Sequence, residues 1–371
     1  MPTQSSHLIY AQCALGLEEL LFVEFVQMAL SPRLVSGGVE ARVSAQELAK
    51  ICLVSRLSES VRIRLKRFGA KDFQALRKEL KKLPFRAYLG PESLFSVQVS
   101  CKKSRLWHSG AVQERVVDVL TSHVGWKLAL GDDAEHAQRV HVRVDDDEVQ
   151  VSLDAGGAKM HRRGYRRFVE PASLRETLAA ALLESADARG DREGKRVVWD
   201  PFCGAGTILL EAVHRDSGML AGDRRSFAFA KWRTHSEEEF EGWKESLGAP
   251  GRGLVSVIGS DRSAKAIATT KKNFDALATD APVTLLEGEA EAIEPQIPEG
   301  AWVVTNPPYG KRLEDAAAVN QLTPILAKRP DLKPAICLVG GPARNNIEKS
   351  RPALFKTKNG GLSVSARLLS L

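Results

Sequence analysis

The sequence predicts an α/β protein: a doubly wound, Rossmann-like sheet preceded by two smaller α+β units. Three observations carry this. From about residue 170 onward, helices and strands alternate, the order that builds a parallel sheet. The stretch "VVWDPFCGAGTILLEAV" reads as strand, glycine turn and helix. Ahead of it, helices mix with strands that alternate polar and apolar residues.

The elements follow in order. "ALGLEELLFVEFVQMAL" (14–30) repeats leucine, phenylalanine and methionine at helical spacing. "GGVEARV" is a turn and short strand. "SAQELAKICLVSRL" is a helix, with Ser44 as N-cap and Glu47 completing a capping box. "SVRIRLKRF" alternates as a strand and closes a first unit near residue 68. A helix in "DFQALRKELKKL", a strand in "LFSVQVSCK", a helix in "SGAVQERVVDVLTSHVGW" and the strands "RVHVRVD" and "EVQVSLDAG" form a second unit, ending near 154. The acidic "DDDE" between those strands is a solvated hairpin turn. Then come the helix "LRETLAAALLESADA", the strand "KRVVWD", the helix "AGTILLEAV", the strand "GLVSVIGSD" and the helix "SAKAIATTKKNFDAL". "PVTLLEGEA", "GAWVVTNPP" and "PAICLVG" are further strands. "FKTKNGGLSVSARLLSL" has a hairpin turn at "NGG" and supplies an antiparallel edge.

Composition narrows the classes. A chain of 371 residues holds two or three domains, and 43% hydrophobic content suits a folded protein. No run approaches the ~20 apolar residues that span a bilayer, and "MPTQSSHLIY" lacks the features of a signal peptide; the expected location is the cytoplasm. The five cysteines are scattered without metal or redox spacing, so reduced thiols and no metal are expected. The net charge of +7 gathers in "VRIRLKRFGAKDFQALRKELKKLPFR" (61–86) and "HRRGYRR" (161–167). Each cluster is either a solvated face or a phosphate-binding surface.

The chemistry concentrates at the ends of the parallel strands. Gly204 and Gly206 let the backbone turn sharply and approach a ligand, and the next helix offers its N-terminus. A dinucleotide, a nucleoside phosphate or S-adenosylmethionine would suit such a loop. The third glycine of the dinucleotide fingerprint is missing, and no P-loop lysine follows. Asp200, at the strand end, would repel a pyrophosphate but accept an ammonium group. Asp261 ends the next strand, where a carboxylate accepts from ribose hydroxyls or caps the following helix. Glu289 ends the third and would accept from an adenine amino group. Cys203 lies in the loop as packing.

In "VVTNPPYGKR" an apolar strand stops at Asn306, followed by Pro307, Pro308 and Tyr309. The Asn306 amide oxygen and the Pro307 carbonyl are acceptors in a rigid turn. Together they would hold both N–H groups of an exocyclic amine and aim its lone pair, while Tyr309 stacks on the base. The same logic serves guanine N2 and adenine N6. The plain alternative is a rigid structural turn.

"DPFCGAGTILLEA" with "NPPYGKR" resembles the class I RNA methyltransferases that modify guanine N2. "QCALGLEELLFVEF" resembles the ferredoxin-like start of the THUMP-containing members, "SGAVQERV" their THUMP domain, and "SLDAGGAKMHRRGYR", "PASLRETLAAALL" and "RRSFAFAKW" the segments flanking the cofactor site. The group nearest in pattern makes N2-methylguanosine in large-subunit (23S) ribosomal RNA; tRNA guanine-N2 enzymes are its neighbours. The resemblance implies three domains: ferredoxin-like (1–68), THUMP (69–154) and methyltransferase (155–371). It implies S-adenosylmethionine as cofactor, held by Asp200, Cys203, Gly204, Gly206, Thr207 and Asp261. Thr177 approaches the methionine end, and Glu289 departs from the commoner Asp. Asn306, Pro307, Pro308 and Tyr309 match the catalytic motif. An insert at about 215–252 is normal for the group. RNA is the implied partner, 23S rRNA first and tRNA second, and the basic run at 62–86 is the implied contact. The rivals are an adenine-N6 DNA methyltransferase, an RNA-binding assembly factor without turnover and, more distantly, a nicotinamide dehydrogenase.

Overall fold

The described strands form two sheets, one of eight strands and one of seven, in a computed structural model that describes residues 6–168, 173–190, 194–248, 251, 253–308, 313–340 and 353–370, with 313–320 by backbone alone. Each sheet organises one unit. The first unit takes the chain up to Gln12, Phe22–Met160 and Arg225–Leu247; the second takes Cys13–Leu21, His161–Arg224 and the chain from Gly248 on.

The first unit runs β1 (His7–Gln12), α1 (Glu18–Gln27, from Phe22 on), β2 (Arg33–Val35), β3 (Gly38–Val43), α2 (Ala45–Val54), β4 (Ser60–Gly69), α3 (Phe73–Leu80), α4 (Phe85–Tyr88), β5 (Leu94–Lys102), α5 (Ser109–Val119), β6 (Lys127–Leu128), α6 (Asp133–His136), β7 (Gln138–Asp145) and β8 (Glu148–Asp154). The strand order is β2-β3-β1-β4-β8-β7-β5-β6. β1 went unpredicted because, half-buried on its outer face, it shows no polar alternation; it pairs antiparallel with both β3 and β4. α1 starts at Glu18 rather than near Ala14, since Gly16 at φ +87° interrupts the helical backbone. The capping box on α2 is present.

The expected boundary at 68 falls inside β4, and β4 pairs with β8 across it, so both α+β halves share one sheet. A register shift between Arg64 and Lys66 inserts one extra residue. It reverses the side-chain parity, and the buried positions pass from Val61 and Ile63 to Phe68.

The second unit contains α7 (Glu176–Asp187), β9 (Arg196–Asp200), α8 (Thr207–Asp216), β10 (Val255–Asp261), α10 (Ala264–Leu277), β11 (Val283–Glu287), α11 (Ala290–Ile293), β12 (Trp302–Thr305), α12 (Leu313–Lys328), β13 (Ala335–Gly340), β14 (Ala353–Asn359) and β15 (Leu362–Ser370); α9 (Glu237–Leu247) lies in the insert before β10. The strand order is β11-β10-β9-β12-β13-β15-β14. β9 to β13 are parallel, and the C-terminal hairpin adds β15 antiparallel to β13. Gly360 and Gly361, at φ +56° and +84°, make its two-residue turn. Trp199, Val303, Ile325, Leu332 and Ala335 anchor one core of this sheet.

The chain builds outward from β9 through β10 to β11, then returns to lay β12 on the other side of β9. Order therefore reverses between β9 and β12, and in an open α/β sheet ligands bind beyond the strand ends at that reversal.

The insert does not fold wholly with the sheet that flanks it. Residues 225–247 join the first unit. Phe229 N–H donates to the Ala155 carbonyl (3.1 Å), Trp232 Nε1 donates to Gln138 Oε1 (2.8 Å), and Phe229 and Phe240 pack edge to face at 5.4 Å. Aromatic burial beside the end of β8 explains the arrangement. Among the described residues no helix is long and apolar enough to cross a membrane.

Candidate active site

The loop after β9 is held from both sides. Gly206 sits at φ +78°, and a Cβ there would meet Thr270 Cγ2 at 2.7 Å, so this position requires glycine. Gly204, at φ +52°, donates its N–H to Asp261 Oδ2 (3.0 Å), and its carbonyl accepts from Thr270 Oγ1 (2.7 Å). Asn273 Nδ2 donates to the Ala205 carbonyl at 3.0 Å. Thr207, buried, opens α8. The cradle thus rests on α10 and on the end of β10, with free helix N–H groups beyond it.

Asp261 was weighed as the cap of α10, but Ser263 takes that role, its Oγ accepting from Ala266 N at 3.3 Å. Each Asp261 oxygen accepts one backbone N–H, from Gly204 and from Ser263 (3.0 Å). A carboxylate oxygen has a second lone pair, so the group retains acceptor capacity for hydroxyls.

Asp200 is 2% exposed at the end of β9. Its Oδ1 accepts from Thr305 Oγ1 (2.6 Å) and from Phe202 N (3.1 Å). Burial pushes its carboxyl up to about 7; the two hydrogen bonds act against that rise and Asp261 adds to it. Thr305 ends β12, so the bond spans the reversal between β9 and β12. Asn306 follows immediately. Its residue is half-buried, while its amide oxygen is fully buried and has no hydrogen-bond partner among the described residues. Pro307 is buried and Pro308 exposed. Tyr309 lies outside the described residues.

Thr177 is fully buried in the first turn of α7, and its hydroxyl has no partner among the described residues. Glu289 departs from its expected place. β11 stops at Glu287, Gly288 turns the chain at φ +156°, and Glu289 precedes α11 with a half-exposed side chain 4.0 Å from Arg262. Cys203 is 5% exposed, and burial holds its thiol well above the ordinary range. It packs against the loop and the β10 strand, where a Cβ at Gly259 would lie 3.3 Å from its Sγ.

Sequence reasoning passed over Thr305, Thr270, Asn273 and Arg166. Thr305 had a signal: it is the polar residue closing the otherwise apolar β12. Arg166 falls in the cluster read as either a solvated face or a phosphate-binding surface, and its guanidinium is instead engaged within the protein. Its guanidinium donates to Thr207 Oγ1 (2.8 Å) and the Leu174 carbonyl (2.7 Å) and pairs with Glu176 (3.2 Å), tying the start of α8 to the start of α7. Arg163 is buried 3.4 Å from Glu211, which accepts from Tyr165 Oη at 2.5 Å. The core of "HRRGYRR" is therefore a buried network under the loop. Five of the ten cations in the first basic run also pair with acids. Arg64 bonds Glu40 (2.7 Å), Arg67 bonds Glu148 (3.1 Å), Arg77 bonds Asp118 (2.9 Å), and Lys66 and Lys82 share Glu79.

The arrangement offers acceptors for a cation at Asp200, for hydroxyls at Asp261 and for an amine at Asn306, all around one glycine cradle. Residues 163–332 match the family model of the RMKL-like methyltransferase domain, and residues 8–62 match that of the RlmL ferredoxin-like domain. A ribosomal RNA large subunit methyltransferase K/L from Methylococcus capsulatus is 31% identical over 334 residues, covering 85% of this chain and 44% of its own length. The chain spans less than half the length of the curated relatives it matches. Among solved structures, a chain from Listeria monocytogenes described as a predicted N6-adenine-specific DNA methylase is 25% identical, with TM-score 0.79, over 98% of this chain and 96% of that one. Another, solved in complex with SAH, is 22% identical with TM-score 0.84, over 100% of this chain and 99% of that one; that likeness shows the fold.

Proposed function

We propose that this chain methylates the exocyclic N2 amino group of a guanosine in RNA, using S-adenosylmethionine; the matches of residues 163–332 to the RMKL-like methyltransferase domain and of residues 8–62 to the RlmL ferredoxin-like domain support the reading. The observation that carries the reading is the amide oxygen of Asn306, buried and without a hydrogen-bond partner among the described residues, next to the Thr305–Asp200 bond. A buried acceptor left unmade costs roughly 1–3 kcal/mol. A substrate N–H removes that cost.

S-adenosylmethionine, when bound, supplies an electrophilic methyl group on a sulfonium. Asp200 holds the ammonium of its methionine end, with Thr177 and Thr207 nearby in sequence to the helix starts that Arg166 ties together. Asp261 would accept from the ribose hydroxyls, Gly204 and Gly206 would admit the ligand against the backbone, and Glu289 would accept from the adenine amino group. Asn306 Oδ1 and the Pro307 carbonyl accept the two N–H groups of the amine and fix its lone pair in a near-attack orientation. Proline at 307 and 308 keeps that turn free of competing donors. Tyr309, which lies outside the described residues, would stack on the base as the motif implies. The amine becomes strongly acidic once methylated, and water takes its proton, so no dedicated base is needed. The base must leave any helix in which its amine is paired.

The ribosomal relatives favour 23S rRNA, with tRNA as the alternative, and the cytoplasm as the location. A second reading, adenine N6 in DNA, is favoured by the description of the Listeria chain. Labelled cofactor and total RNA, with Asn306→Ala as control, test the proposal. Undiminished labelling in the variant defeats it, a parallel reaction on genomic DNA followed by digestion separates N2-methylguanosine from N6-methyl-2′-deoxyadenosine, and absence of S-adenosylmethionine binding by calorimetry points to a non-catalytic assembly factor. Mapping the missing methyl group in RNA from a strain lacking the protein names the nucleotide.

A further inference from the structure

A further group of cations in the first unit lies beside a tryptophan. Trp107 is 74% exposed, whereas Trp126, Trp199, Trp232 and Trp302 are at most 5% exposed. It lies in "KKSRLWHSG", the connection from β5 to α5. The loop is built. Leu106 is buried beneath it. Ser104 Oγ donates to the Lys102 carbonyl (2.7 Å) and accepts from Asp147 N (3.0 Å), while Asp147 Oδ1 accepts from Arg105 N (2.7 Å). His108 caps α5, its Nδ1 accepting from Ala111 N (3.0 Å), and its ring meets the indole edge to face at 5.5 Å. These contacts hold Trp107 outward on a fixed support.

Lys102, Lys103 and Arg105 are exposed, and their side chains make no hydrogen bond or ion pair among the described residues, although Lys102 and Lys103 lie close enough to Asp145 to favour its charge. Lys71 joins them: it follows Ala70, whose N–H donates to the Asp147 carbonyl at 2.9 Å. The acids at this end are mostly engaged within the protein. Asp72 accepts from Ala75 N, Asp145 from Arg143, and Asp147 from Arg105 N. Asp146 is the one whose side chain has no partner among the described residues.

A large aromatic kept in water and flanked by unpaired cations is the arrangement that binds unpaired nucleotides: every base has a face that stacks, and the phosphates on either side meet the cations. A duplex hides those faces. We propose that Trp107, with Lys71, Lys102, Lys103 and Arg105, is a docking site for a single-stranded segment of RNA. The proposal rests on the reading of the chain as an RNA-modifying protein and adds a site outside the methyltransferase unit.

The test uses the full chain and a fluorescein-labelled, mixed-sequence 20-nucleotide RNA, single-stranded or annealed to its complement. Trp107→Ala weakens single-strand binding about tenfold, the scale of one base–aromatic stack, and Trp107→Phe stays within about threefold of the wild type, since a ring remains. Duplex binding stays unchanged. Lys102→Ala combined with Lys103→Ala and Arg105→Ala flattens the salt dependence of binding. Thermal midpoints stay at the wild-type value because the ring is already in water. Equal single-strand affinity of Trp107→Ala and wild type overturns the site, including the outcome in which Trp107 docks a protein instead. A wild type with Trp107-dependent binding that labels no RNA supports the site while overturning the enzymatic reading.

Discussion

Thr305 donates a 2.6 Å hydrogen bond to Oδ1 of Asp200, joining strand ends 105 residues apart in sequence at the point where strand order reverses. The bond orients a buried carboxylate and also fixes the backbone from which Asn306 departs. One hydroxyl thus couples the proposed ammonium site to the proposed amine site.

Thr305→Val preserves shape and removes the hydroxyl. Hydrogen bonds to charged groups contribute about 1.5–3 kcal/mol, so S-adenosylmethionine affinity should fall by roughly one to two orders of magnitude. Thr305 lowers the Asp200 pKa; without it the carboxyl ionises at higher pH, and the pH profile of cofactor binding moves up. Thr305→Ser should restore both. Calorimetric titrations from pH 6 to 9 decide, and an unshifted profile in the valine variant removes Thr305 from the mechanism.

Asp200 gives a stability prediction of unusual sign for a carboxylate. Burial raises its folded value to about 7, above the ordinary range. Below about pH 4 the group is protonated in both folded and unfolded chains. Between there and about 7 the folded chain keeps a proton that the unfolded chain has lost, so stability falls as pH rises through that window, then levels off. Asp200→Asn should match the wild type in denaturant midpoint near pH 4 and exceed it near pH 7. A cation seated beside Asp200 lowers its pKa. Cofactor binding near neutrality should therefore release a proton, seen as a dependence of the calorimetric enthalpy on buffer ionisation, and Asp200→Asn should abolish it.

Much of this site was legible in the sequence because its parts obey local rules. Strand ends, glycines in a tight turn and a proline pair are visible in short windows, and so Asp200, Gly204, Gly206, Asp261 and Asn306 could be named before any coordinates. What escaped depends on distant packing. Arg166 reads as one more surface cation until Glu176 and Thr207 are seen beside it. The ion pairs of the 62–86 run join residues as far apart as Arg67 and Glu148, and charge density along the chain does not reveal them. The end of β11 falls at Glu287 rather than Glu289, because Gly288 turns the chain, a bend that composition does not reveal.

Gly206→Ala tests the cradle. An alanine at φ +78° costs roughly 1–2 kcal/mol in backbone strain, and its Cβ would press Thr270 Cγ2. Thr270 cannot retreat without losing its bond to the Gly204 carbonyl. Cofactor affinity and thermal midpoint should both drop. Thr270→Ser in the same background keeps the hydroxyl and removes Cγ2, so it should recover the part due to collision and leave the part due to φ. If the serine gives no recovery, the collision is not the source of the loss.

Arg166 carries the last prediction, which separates its charge from its bulk. Arg166→Met fills similar space but leaves Glu176, whose side chain is 5% exposed, without its cation. Removing one partner of a buried pair costs about 3–5 kcal/mol. Burial already raises the Glu176 pKa and Arg166 opposes that rise; in the methionine variant the carboxyl should move higher still. A carboxyl raised in the folded state loses stability as pH increases, so the deficit of Arg166→Met should be small near pH 5 and large near pH 8. Glu176→Gln in that background should remove the pH dependence and restore most of the stability. Cofactor affinity should stay low in the double variant, because Thr207 Oγ1 and the Leu174 carbonyl still lack the guanidinium that joins them. Full recovery of binding together with stability would mean that Arg166 only holds the fold and does not position the loop.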